Sequence, residues 1–461
     1  MVQRAITPAV LTFHDWPWQA WASHKPEQTA LFDGDTALNW QQVCERINRY
    51  TQCLPENPAG KIVSFTANPG IESVYLLLAL IQSGANVLAV NPKMPSADIE
   101  AIAGRTGVAF HIESPAELVE CRSETLVSAY ASHHIATLTL TSGSTGLPKA
   151  VAHTVSNHLH SAAGILQVMP LSHDDCWLLS LPIFHVSGLA IIWRWLLSGA
   201  RMKVAPVAGE QLFSAFDKVS HASLVPTQLQ RLLVQGKPDT LKEVLLGGAE
   251  IPVALTEDAE RAGIRCWCGY GMTEMASTIT VKRADGELTV GAPMAYRQVE
   301  ISGESEVLVG GGPLSPGYMV EGKLKPLVLA DGLFATRDRG EWFGEQGDNL
   351  RLLGRLDNMF ICGGENVQPE AVERILAKHP DVSLVFVLPV ADAEFGSRPV
   401  AIIEPLESET VLDKLPKWAA DKLAPHQRPM RYFLMPDSVK GNGIKISRAA
   451  LGEWLKLELT T

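Results

Sequence analysis

The stretch Thr141-Ser142-Gly143-Ser144-Thr145-Gly146-Leu147-Pro148-Lys149 determines how the rest of the chain is interpreted. The run that precedes it, residues 135–140, alternates apolar and polar side chains and predicts a β-strand. Glycines let backbone N–H groups approach an anion closely, hydroxyls add donors, and the lysine adds a positive charge. A surface turn uses the same residue types. Because four hydroxyls, two glycines and a lysine follow a strand directly, we interpret the stretch as a phosphate-binding loop. It lacks the Gly-Lys-Ser/Thr ending of a Walker A loop.

The composition indicates more than one domain and no general affinity for polyanions. A chain of 461 residues exceeds one ordinary hydrophobic core. Its formal net charge of −11 argues against a general binder of nucleic acid or of anionic membranes. The apolar run 177–197 contains a proline, a histidine and an arginine, so a membrane span is not expected. Residues 1–6 make a poor signal peptide, and we expect a cytoplasmic protein.

The seven cysteines are odd in number and scattered along the chain. Only Cys266 and Cys268 lie close together, and no second pair completes a set of zinc ligands. Reduced thiols in a cytoplasmic protein fit this distribution best.

Strand and helix patterns alternate up to residue 141, which predicts layers of α/β structure. The predicted helices cover residues 39–50, 72–83, 153–168 and 370–376. The predicted strands cover residues 61–66 and 85–90, with further strands near 383–389 and 399–404. Residues 284–330 contain short strand patterns joined by glycine turns, and they predict a small β-rich subdomain.

Several later motifs have both a structural and a functional interpretation. A histidine beside apolar residues, such as His185, is more often a core residue than a catalytic one. Gly247-Gly248-Ala249 after a strand is, by itself, a plain turn. Glu274 alone would be a surface carboxylate, although its oxygen atoms are suited to Mg²⁺.

Arg194 lies between two tryptophans in the apolar run. One interpretation is a structural arginine that extends its head group to solvent or pairs with an acid. The other is a cation that receives a carboxylate at the far end of a substrate. The sequence alone favours neither interpretation.

The loop at 141–149 resembles the signature loop of the adenylate-forming enzymes, which include acyl-CoA synthetases, luciferases and peptide-synthetase adenylation domains. Further motifs of that family follow in its order. They are Phe184-His185-x-x-Gly188, Gly247-Gly248-Ala249, Tyr270-Gly271-x-Thr273-Glu274, Thr336-x-Asp338-x-Gly340, Gly354-Arg355-Leu356-Asp357 and Lys445-Ile446-x-Arg448. The last motif departs from the family pattern, because Ile444 separates Gly443 from Lys445.

The resemblance implies a set of site residues. The implied ATP-binding residues are Thr141, Ser142, Gly143, Ser144, Thr145, Gly146, Lys149, Gly247, Gly248, Ala249, Gly269, Tyr270, Gly271, Thr273, Asp338 and Arg355. The implied catalytic residues are Lys445, His185, Thr273 and Glu274, and Glu274 would bind Mg²⁺. His185, Arg194, Ser223 and Thr278 would line the acyl pocket, and Gly363 and Gly364 would form a loop near coenzyme A.

The resemblance also implies a fold and a reaction. The fold class would be α/β, with a large N-terminal domain of layered α/β sheets plus the small β-rich subdomain, residues 1–356. A small, mobile α+β C-terminal domain, residues 357–461, would carry Lys445 and turn about a hinge near Asp357. A carboxylic acid would react with ATP to give an acyl-adenylate, and coenzyme A would then form a thioester.

Three readings of the function remain open at this point. The acid could be aromatic or aliphatic, the acceptor could be a carrier protein instead of coenzyme A, or the chain could be a nucleotide-binding regulator without catalysis. We expect small-molecule substrates and no nucleic-acid partner. The sequence does not decide between a monomer and a homo-oligomer.

Overall fold

A computed structural model describes residues 13–55, 57–115, 118, 127–141, 148–207, 209–249, 251–345, 347–406, 409–439 and 446–460. The chain divides into two compact units. The first comprises Met1–Val299 and Val309–Phe334, and the second comprises Glu300–Leu308 and Ala335–Thr461. The predicted domain boundary at residue 356 falls inside the second unit, and the division into residues 1–356 and 357–461 remains a prediction.

The first unit contains a nine-stranded sheet with the order β14-β13-β12-β11-β10-β8-β9-β1-β2. Its strands are β1 Thr29–Asp33, β2 Thr36–Asn39, β8 Cys176–Leu178, β9 Arg201–Val204, β10 His221–Leu224, β11 Glu243–Leu246, β12 Arg265–Met272, β13 Ser277–Arg283 and β14 Ala292–Pro293. Strands β10, β11 and β12 are parallel, and β13 returns antiparallel to β12. The carboxyl ends of the three parallel strands therefore meet at one edge of the sheet.

A seven-stranded sheet in the same unit has the order β18-β17-β7-β6-β4-β3-β5. Its strands are β3 Ile62–Thr66, β4 Asn86–Val90, β5 Phe110–Ile112, β6 Ile135–Thr141, β7 Lys149–Thr154, β17 Gly317–Val320 and β18 Lys323–Pro326. Strand β7 pairs antiparallel with both β6 and β17. Every residue of β3 is buried, as expected for a parallel strand covered on both faces.

The described helices of the first unit are α1 Pro17–His24, α2 Trp40–Gln52, α3 Ile71–Gln82, α4 Ser96–Thr106, α5 Val155–Val168, α6 Val186–Ser198, α7 Pro226–Gln235 and α8 Val253–Arg261. Helix α2 begins after Asn39, whose side chain accepts the N–H of Gln42 while Gln42 accepts the N–H of Asn39. This reciprocal cap explains why the predicted helix at 39–50 begins where it does.

Helix α5 begins two residues later than the predicted helix at 153–168. Thr154 is the last residue of β7 and caps α5, because its hydroxyl accepts the N–H of Asn157 at 3.1 Å. The prediction was wrong for His153 and Thr154 because a β-branched hydroxyl residue favours strand and cap positions. The other predicted elements are confirmed to within one or two residues in β3, α3, β4 and β6.

The predicted β-rich stretch, residues 284–330, contains strands of three sheets: β14 joins the nine-stranded sheet, β17 and β18 join the seven-stranded sheet, and the others join a five-stranded sheet. That third sheet is built from strands within residues 297–355. These strands are β15 Arg297–Ile301, β16 Glu306–Gly311, β19 Leu329–Ala330, β20 Leu333–Phe343 and β21 Asn349–Arg355. In the second unit β20 pairs antiparallel with β21, and Asp338 lies opposite Arg355.

The second unit continues with a sheet of order β23-β22-β25-β24, in which β26 also pairs with β25. Its strands are β22 Phe360–Cys362, β23 Glu365–Val367, β24 Val382–Asp392, β25 Gly396–Pro405 and β26 Tyr432–Leu434. The accompanying helices are α9 Pro369–Leu376, α10 Val411–Ala420 and α11 Arg448–Thr460. Helices beside a mixed sheet confirm the predicted α+β character.

Five cysteines are free thiols, and four of these are buried: Cys176, Cys266, Cys268 and Cys362. Cys53 is disulfide-bonded, so the expectation that every cysteine is reduced is wrong at that position. Burial raises the pKa of Cys176 and Cys266 to about 12, and that of Cys268 to about 11.

Across the described ranges, none of the helices combines the length and the apolar character that crossing a bilayer requires.

A half-buried ion pair holds α11 in the second unit. The Arg448 guanidinium donates to both carboxylate oxygens of Glu373, at 2.6 and 2.5 Å, and to the carbonyl oxygen of Val387 at 3.0 Å. The N–H of Val387 in turn donates to Glu373 at 2.6 Å. We expect Glu373→Gln to lower the free energy of unfolding of this unit by about 1 to 2 kcal/mol, because Arg448 then keeps only the more distant carboxylate of Glu370, at 3.8 Å.

Urea unfolding followed by circular dichroism measures this change, with the exposed Glu394→Gln as the matched control. An unfolding midpoint for Glu373→Gln equal to that of the control would show that the ion pair does not contribute.

Candidate active site

Thr141 and Lys149 lie opposite each other at the ends of β6 and β7. The Thr141 hydroxyl is 3.5 Å from the carbonyl oxygen of Lys149. The Lys149 ammonium lies 5.1 Å from the centre of the Tyr318 ring. The intervening predicted site residues, Ser142, Gly143, Ser144, Thr145 and Gly146, lie outside the described residues. The two strands therefore bring both ends of the predicted phosphate loop together beside β17.

The glycine turn after β11 lies beside the motif on β12. The parallel register aligns Leu246 with Cys268, so Gly247 is next to Gly269. A Cβ atom at Gly247 would lie 3.4 Å from the carbonyl oxygen of Gly269. Gly248 has φ +84°, a value that favours glycine, and it is exposed together with Ala249. Tyr270, in the middle of β12, is 9% exposed. The glycine turn and the β12 motif, about twenty residues apart in the chain, therefore lie together at one edge of the nine-stranded sheet, where the carboxyl ends of its parallel strands meet.

A strained turn joins β12 to β13. Gly271 faces Thr278, and a Cβ atom at Gly271 would lie 2.2 Å from the carbonyl oxygen of Ser277. Ala276 and Ser277 have φ values of +48° and +110°, although neither is glycine. Strain of this kind persists only where surrounding contacts enforce it, and it is concentrated at functional sites.

Three contacts enforce the turn at Thr273 and Glu274. His153 Nε2 donates to the carbonyl oxygen of Thr273 at 2.8 Å. The N–H of Ser315 donates to the carbonyl oxygen of Glu274 at 2.8 Å. The Tyr318 hydroxyl donates to Glu274 Oε1 at 2.9 Å. Burial and the Glu274 charge raise the pKa of Tyr318 above its ordinary value, so it remains a donor.

Sequence reasoning missed His153, Ser315 and Tyr318. His153 and Tyr318 are 120 and 44 residues from their partners, and no local pattern marks them. The only available signal was a polar aromatic residue on each of two strands that flank the phosphate loop.

Glu274 is suited to Mg²⁺. Its carboxylate is 9% exposed and held in one orientation by Tyr318. Within the described ranges there is no group of three or more histidine, cysteine, aspartate or glutamate side chains that could hold a metal. One fixed carboxylate nevertheless fits Mg²⁺, which takes one or two carboxylates and completes its shell with water and substrate phosphates.

His185 precedes the first residue of α6 and is half-buried. Its ring lies 4.7 Å from that of Phe184, centre to centre. Gly188 has no room for a side chain, because a Cβ atom there would lie 2.2 Å from the carbonyl oxygen of Pro182. The glycine therefore lets the loop close over the start of α6 and set the position of His185.

Arg194 is 1% exposed in the middle of α6. Its Nη1 donates to the Ser223 hydroxyl at 3.0 Å, and its guanidinium lies 4.9 Å from the centre of the Trp177 ring. Its buried Nε has no hydrogen-bond partner among the described residues. Burial lowers the pKa of Arg194 to about 9, so it stays charged at neutral pH.

The structure argues against the structural interpretation of Arg194, and its role as a carboxylate-binding residue remains a prediction. The side chain is too deeply buried to extend to solvent. No carboxylate among the described residues lies within 4.0 Å of it. Ser223, which the resemblance places in the acyl pocket with Arg194, contacts it, and Thr278, 7% exposed, lies on β13, which packs against α6.

The second unit holds three of the other predicted residues together. Arg355 donates to Asp338 at 3.0 Å and, through two nitrogens, to both oxygens of Asp357 at 2.8 and 3.0 Å. Burial alone would raise the pKa of Asp357, but the Arg355 contacts outweigh it and lower the pKa. The hinge role of Asp357 remains a prediction.

Gly363 and Gly364 form a two-residue turn between β22 and β23, with φ values of +60° and +86°. Positive φ at both positions is typical of a type I′ hairpin turn. Lys445 lies outside the described residues, and Arg448, three residues later, is the first residue of α11.

The chain is similar to known proteins over nearly its whole length. Residues 18–320 match the AMP-binding enzyme family, and residues 371–442 match the AMP-binding enzyme C-terminal domain. A 2-succinylbenzoate–CoA ligase of Salmonella typhimurium is 46% identical over 96% of this chain and 99% of its own.

Solved structures show the same likeness. A variant of Escherichia coli MenE with bound OSB-AMS has a TM-score of 0.88 at 43% identity, covering 96% of this chain and 99% of that one. The o-succinylbenzoate coenzyme A synthetase of Bacillus subtilis, in complex with ATP and magnesium ion, has a TM-score of 0.83. It is 23% identical and covers 91% of this chain and 96% of that one, so this second likeness concerns the fold.

His153 gives the first unit a distinct dependence of stability on pH. Burial lowers the pKa of His153 to about 4, while its Thr273 contact partly opposes the shift. Between pH 6.5 and 4 the unfolded chain binds a proton at this position and the folded chain does not, so stability falls as pH falls. Replacement by glutamine, which keeps an amide donor, should reduce the loss on going from pH 7 to 4.5 by about 2 to 3 kcal/mol.

Urea unfolding at the two pH values tests this, with the exposed His24→Gln as control. His158, whose ring centre is 5.1 Å from that of His153, is unchanged in both variants. Equal pH dependence in the wild type and His153→Gln would contradict the assignment.

Proposed function

The chain belongs to the family of AMP-binding enzymes, and we propose that it joins 2-succinylbenzoate to coenzyme A through an acyl-adenylate. The products are 2-succinylbenzoyl-CoA, AMP and pyrophosphate, and the reaction belongs to menaquinone biosynthesis. Two ligases of this name are 45–46% identical to the chain, and the similarity extends over 96–97% of its length.

Arg194 is the observation that carries the choice of substrate. It is a buried cation without a carboxylate partner in the described part of the chain, beside the Ser223 hydroxyl. A buried unpaired charge is costly, so a site that keeps one is suited to an anionic ligand group. 2-Succinylbenzoate has two carboxylates, so one can react with ATP while Arg194 and Ser223 hold the other.

In the first half-reaction a carboxylate oxygen of the acid attacks the α-phosphorus of ATP, and the bond to the pyrophosphate oxygen breaks. The Thr141–Lys149 loop and the Thr273 hydroxyl donate to the phosphates, and Tyr270 offers a face to the adenine. Glu274 would hold Mg²⁺, which when bound neutralises phosphate charge. Asp338 and Arg355 would bind the ribose, because a carboxylate accepts from two hydroxyls at once.

Lys445 supplies the cation that stabilises charge as the carboxylate attacks. His185 orients that carboxylate. In the second half-reaction the sulfur of coenzyme A attacks the acyl carbon, its proton is released, and AMP leaves. The Gly363–Gly364 turn would face coenzyme A in that step, and movement about Asp357 would exchange it for Lys445.

The proposal also includes a cytoplasmic location and no nucleic-acid partner. It is compatible with a monomer or a homo-oligomer.

A panel of acids tests the function directly. We expect pyrophosphate release with ATP, Mg²⁺ and coenzyme A to be much faster with 2-succinylbenzoate than with benzoate, a fatty acid or another aromatic acid. Mass spectrometry should detect the matching CoA thioester. Turnover of the other acids but not of 2-succinylbenzoate would discard this substrate and keep the adenylation chemistry, and the absence of turnover with every acid would contradict both.

Tyr318 should affect turnover through Glu274. Tyr318→Phe removes one hydrogen bond to a buried carboxylate, and bonds of this kind contribute about 1.5 kcal/mol or more. We expect kcat for pyrophosphate release to fall by about tenfold, which corresponds to that energy.

Tyr130→Phe, in the same unit but packed against Trp16, is the matched control and should keep the wild-type kcat. A wild-type kcat for Tyr318→Phe would show that Glu274 does not depend on this contact.

A further inference from the structure

Arg297, the first residue of β15, is a buried arginine of the first unit, as Arg194 is. It is 5% exposed. Its Nε and Nη2 donate to the carbonyl oxygen of Thr278 at 3.0 and 2.9 Å, and its Nη1 donates to Ala295 at 2.8 Å and to His160 at 3.2 Å. Nη2 also reaches the carbonyl and hydroxyl oxygens of Ser161, at 3.1 and 3.4 Å. All of these acceptors are neutral.

Helix α5 leaves space for this guanidinium. A Cβ atom at Gly164 would lie 2.1 Å from Arg297 Nη1 and 3.1 Å from the carbonyl oxygen of Ala295. The glycine is in the helix interior, where it costs about 1 kcal/mol relative to alanine. The arginine therefore occupies a place that even a methyl group on α5 would fill.

Both arginines are linked to β13, because Arg194 lies on α6, which packs against that strand, and Arg297 donates to the carbonyl oxygen of Thr278. No ion pair within 4.0 Å involves Arg194 or Arg297 in the part of the chain that is described. The two groups interact, since burial and the Arg194 charge lower the pKa of Arg297 to about 9. Both remain protonated at neutral pH. A neutral side chain could bind some of the same carbonyl groups at a lower desolvation cost, so the retained charge calls for an explanation.

We infer that Arg297 is a specificity-determining residue for the carboxylate of the substrate that is not adenylated. It does not touch that carboxylate. It adds its positive charge to that of Arg194 and fixes Thr278, the pocket residue whose carbonyl group it binds. The inference rests on the proposed function, because it requires a substrate with two carboxylates.

Two variants separate the charge of Arg297 from its hydrogen bonds. Arg297→Gln removes the charge and keeps an amide donor, whereas Arg297→Lys keeps the charge and loses the planar fork of donors. Each is assayed for kcat/KM with 2-succinylbenzoate and with two monocarboxylates, 4-oxo-4-phenylbutanoate and 2-butanoylbenzoate. Each monocarboxylate lacks one of the two acid groups.

We expect Arg297→Gln to lower the preference for 2-succinylbenzoate over the better monocarboxylate by about tenfold, because a buried charge acts strongly through a medium of low dielectric constant. Arg297→Lys should keep that preference to within about threefold, even where both kcat/KM values fall. Binding of 2-succinylbenzoate alone, followed by quenching of tryptophan fluorescence, should weaken in the Gln variant and become less dependent on salt.

An equal fall for dicarboxylate and monocarboxylates in both variants would show that Arg297 only holds the backbone, and would overturn the inference. The same conclusion follows if the Gln variant keeps the wild-type preference. If the wild type itself shows no preference for the dicarboxylate, the proposed function fails with it. Should Arg297→Gln not fold, the Lys variant and Gly164→Ala, which displaces the guanidinium, provide the comparison.

Discussion

The turn at Thr273 and Glu274 is the constraint on which the first unit depends. It lies between β12 and β13 of the nine-stranded sheet, while His153 and Tyr318, which hold it, belong to β7 and β17 of the seven-stranded sheet. The hydrogen bonds that hold the turn and orient the Glu274 carboxylate are therefore also bonds between the two sheets. A change in how the sheets pack would move Glu274, and a change at Glu274 would alter contacts in both sheets. Such coupling fixes a reacting geometry without dedicated scaffolding.

The same unit places charge where water is excluded. Arg194 and Arg297 lie in the interior, held by a hydroxyl and by carbonyl groups, and neither has an acid partner in the described ranges. Desolvation makes this arrangement costly for the folded protein alone. It also makes each charge act over a longer distance than it would in water, so an anion that enters is held strongly. The unit thus gives up some stability to keep two charges in its interior.

Sequence reasoning predicted the local features well, because they depend on nearby residues. Helix α2 and strand β3 follow from their patterns of apolar residues, whereas the reciprocal cap of α2 and the hairpin form of the Gly363–Gly364 turn were not predicted. The resemblance to family motifs added residues that are distant in the chain, and the structure shows some of them side by side, such as Gly247 and Gly269. What it could not supply were contacts between distant segments. Nothing near Arg297 in the chain shows that its guanidinium will meet α5 and β13, since that depends on how two sheets pack.

The buried thiols of the nine-stranded sheet have a consequence for the chemistry beside them. Cys268 directly precedes Gly269, and its pKa of about 11 leaves only about one molecule in ten thousand as thiolate at neutral pH. Exchange between a disulfide and a thiol requires the thiolate. An enzyme whose second substrate carries a free thiol works in continual contact with that group and with its oxidised forms. Because the Cys268 thiol is enclosed as well as protonated, the sheet keeps this sulfur out of thiol–disulfide exchange.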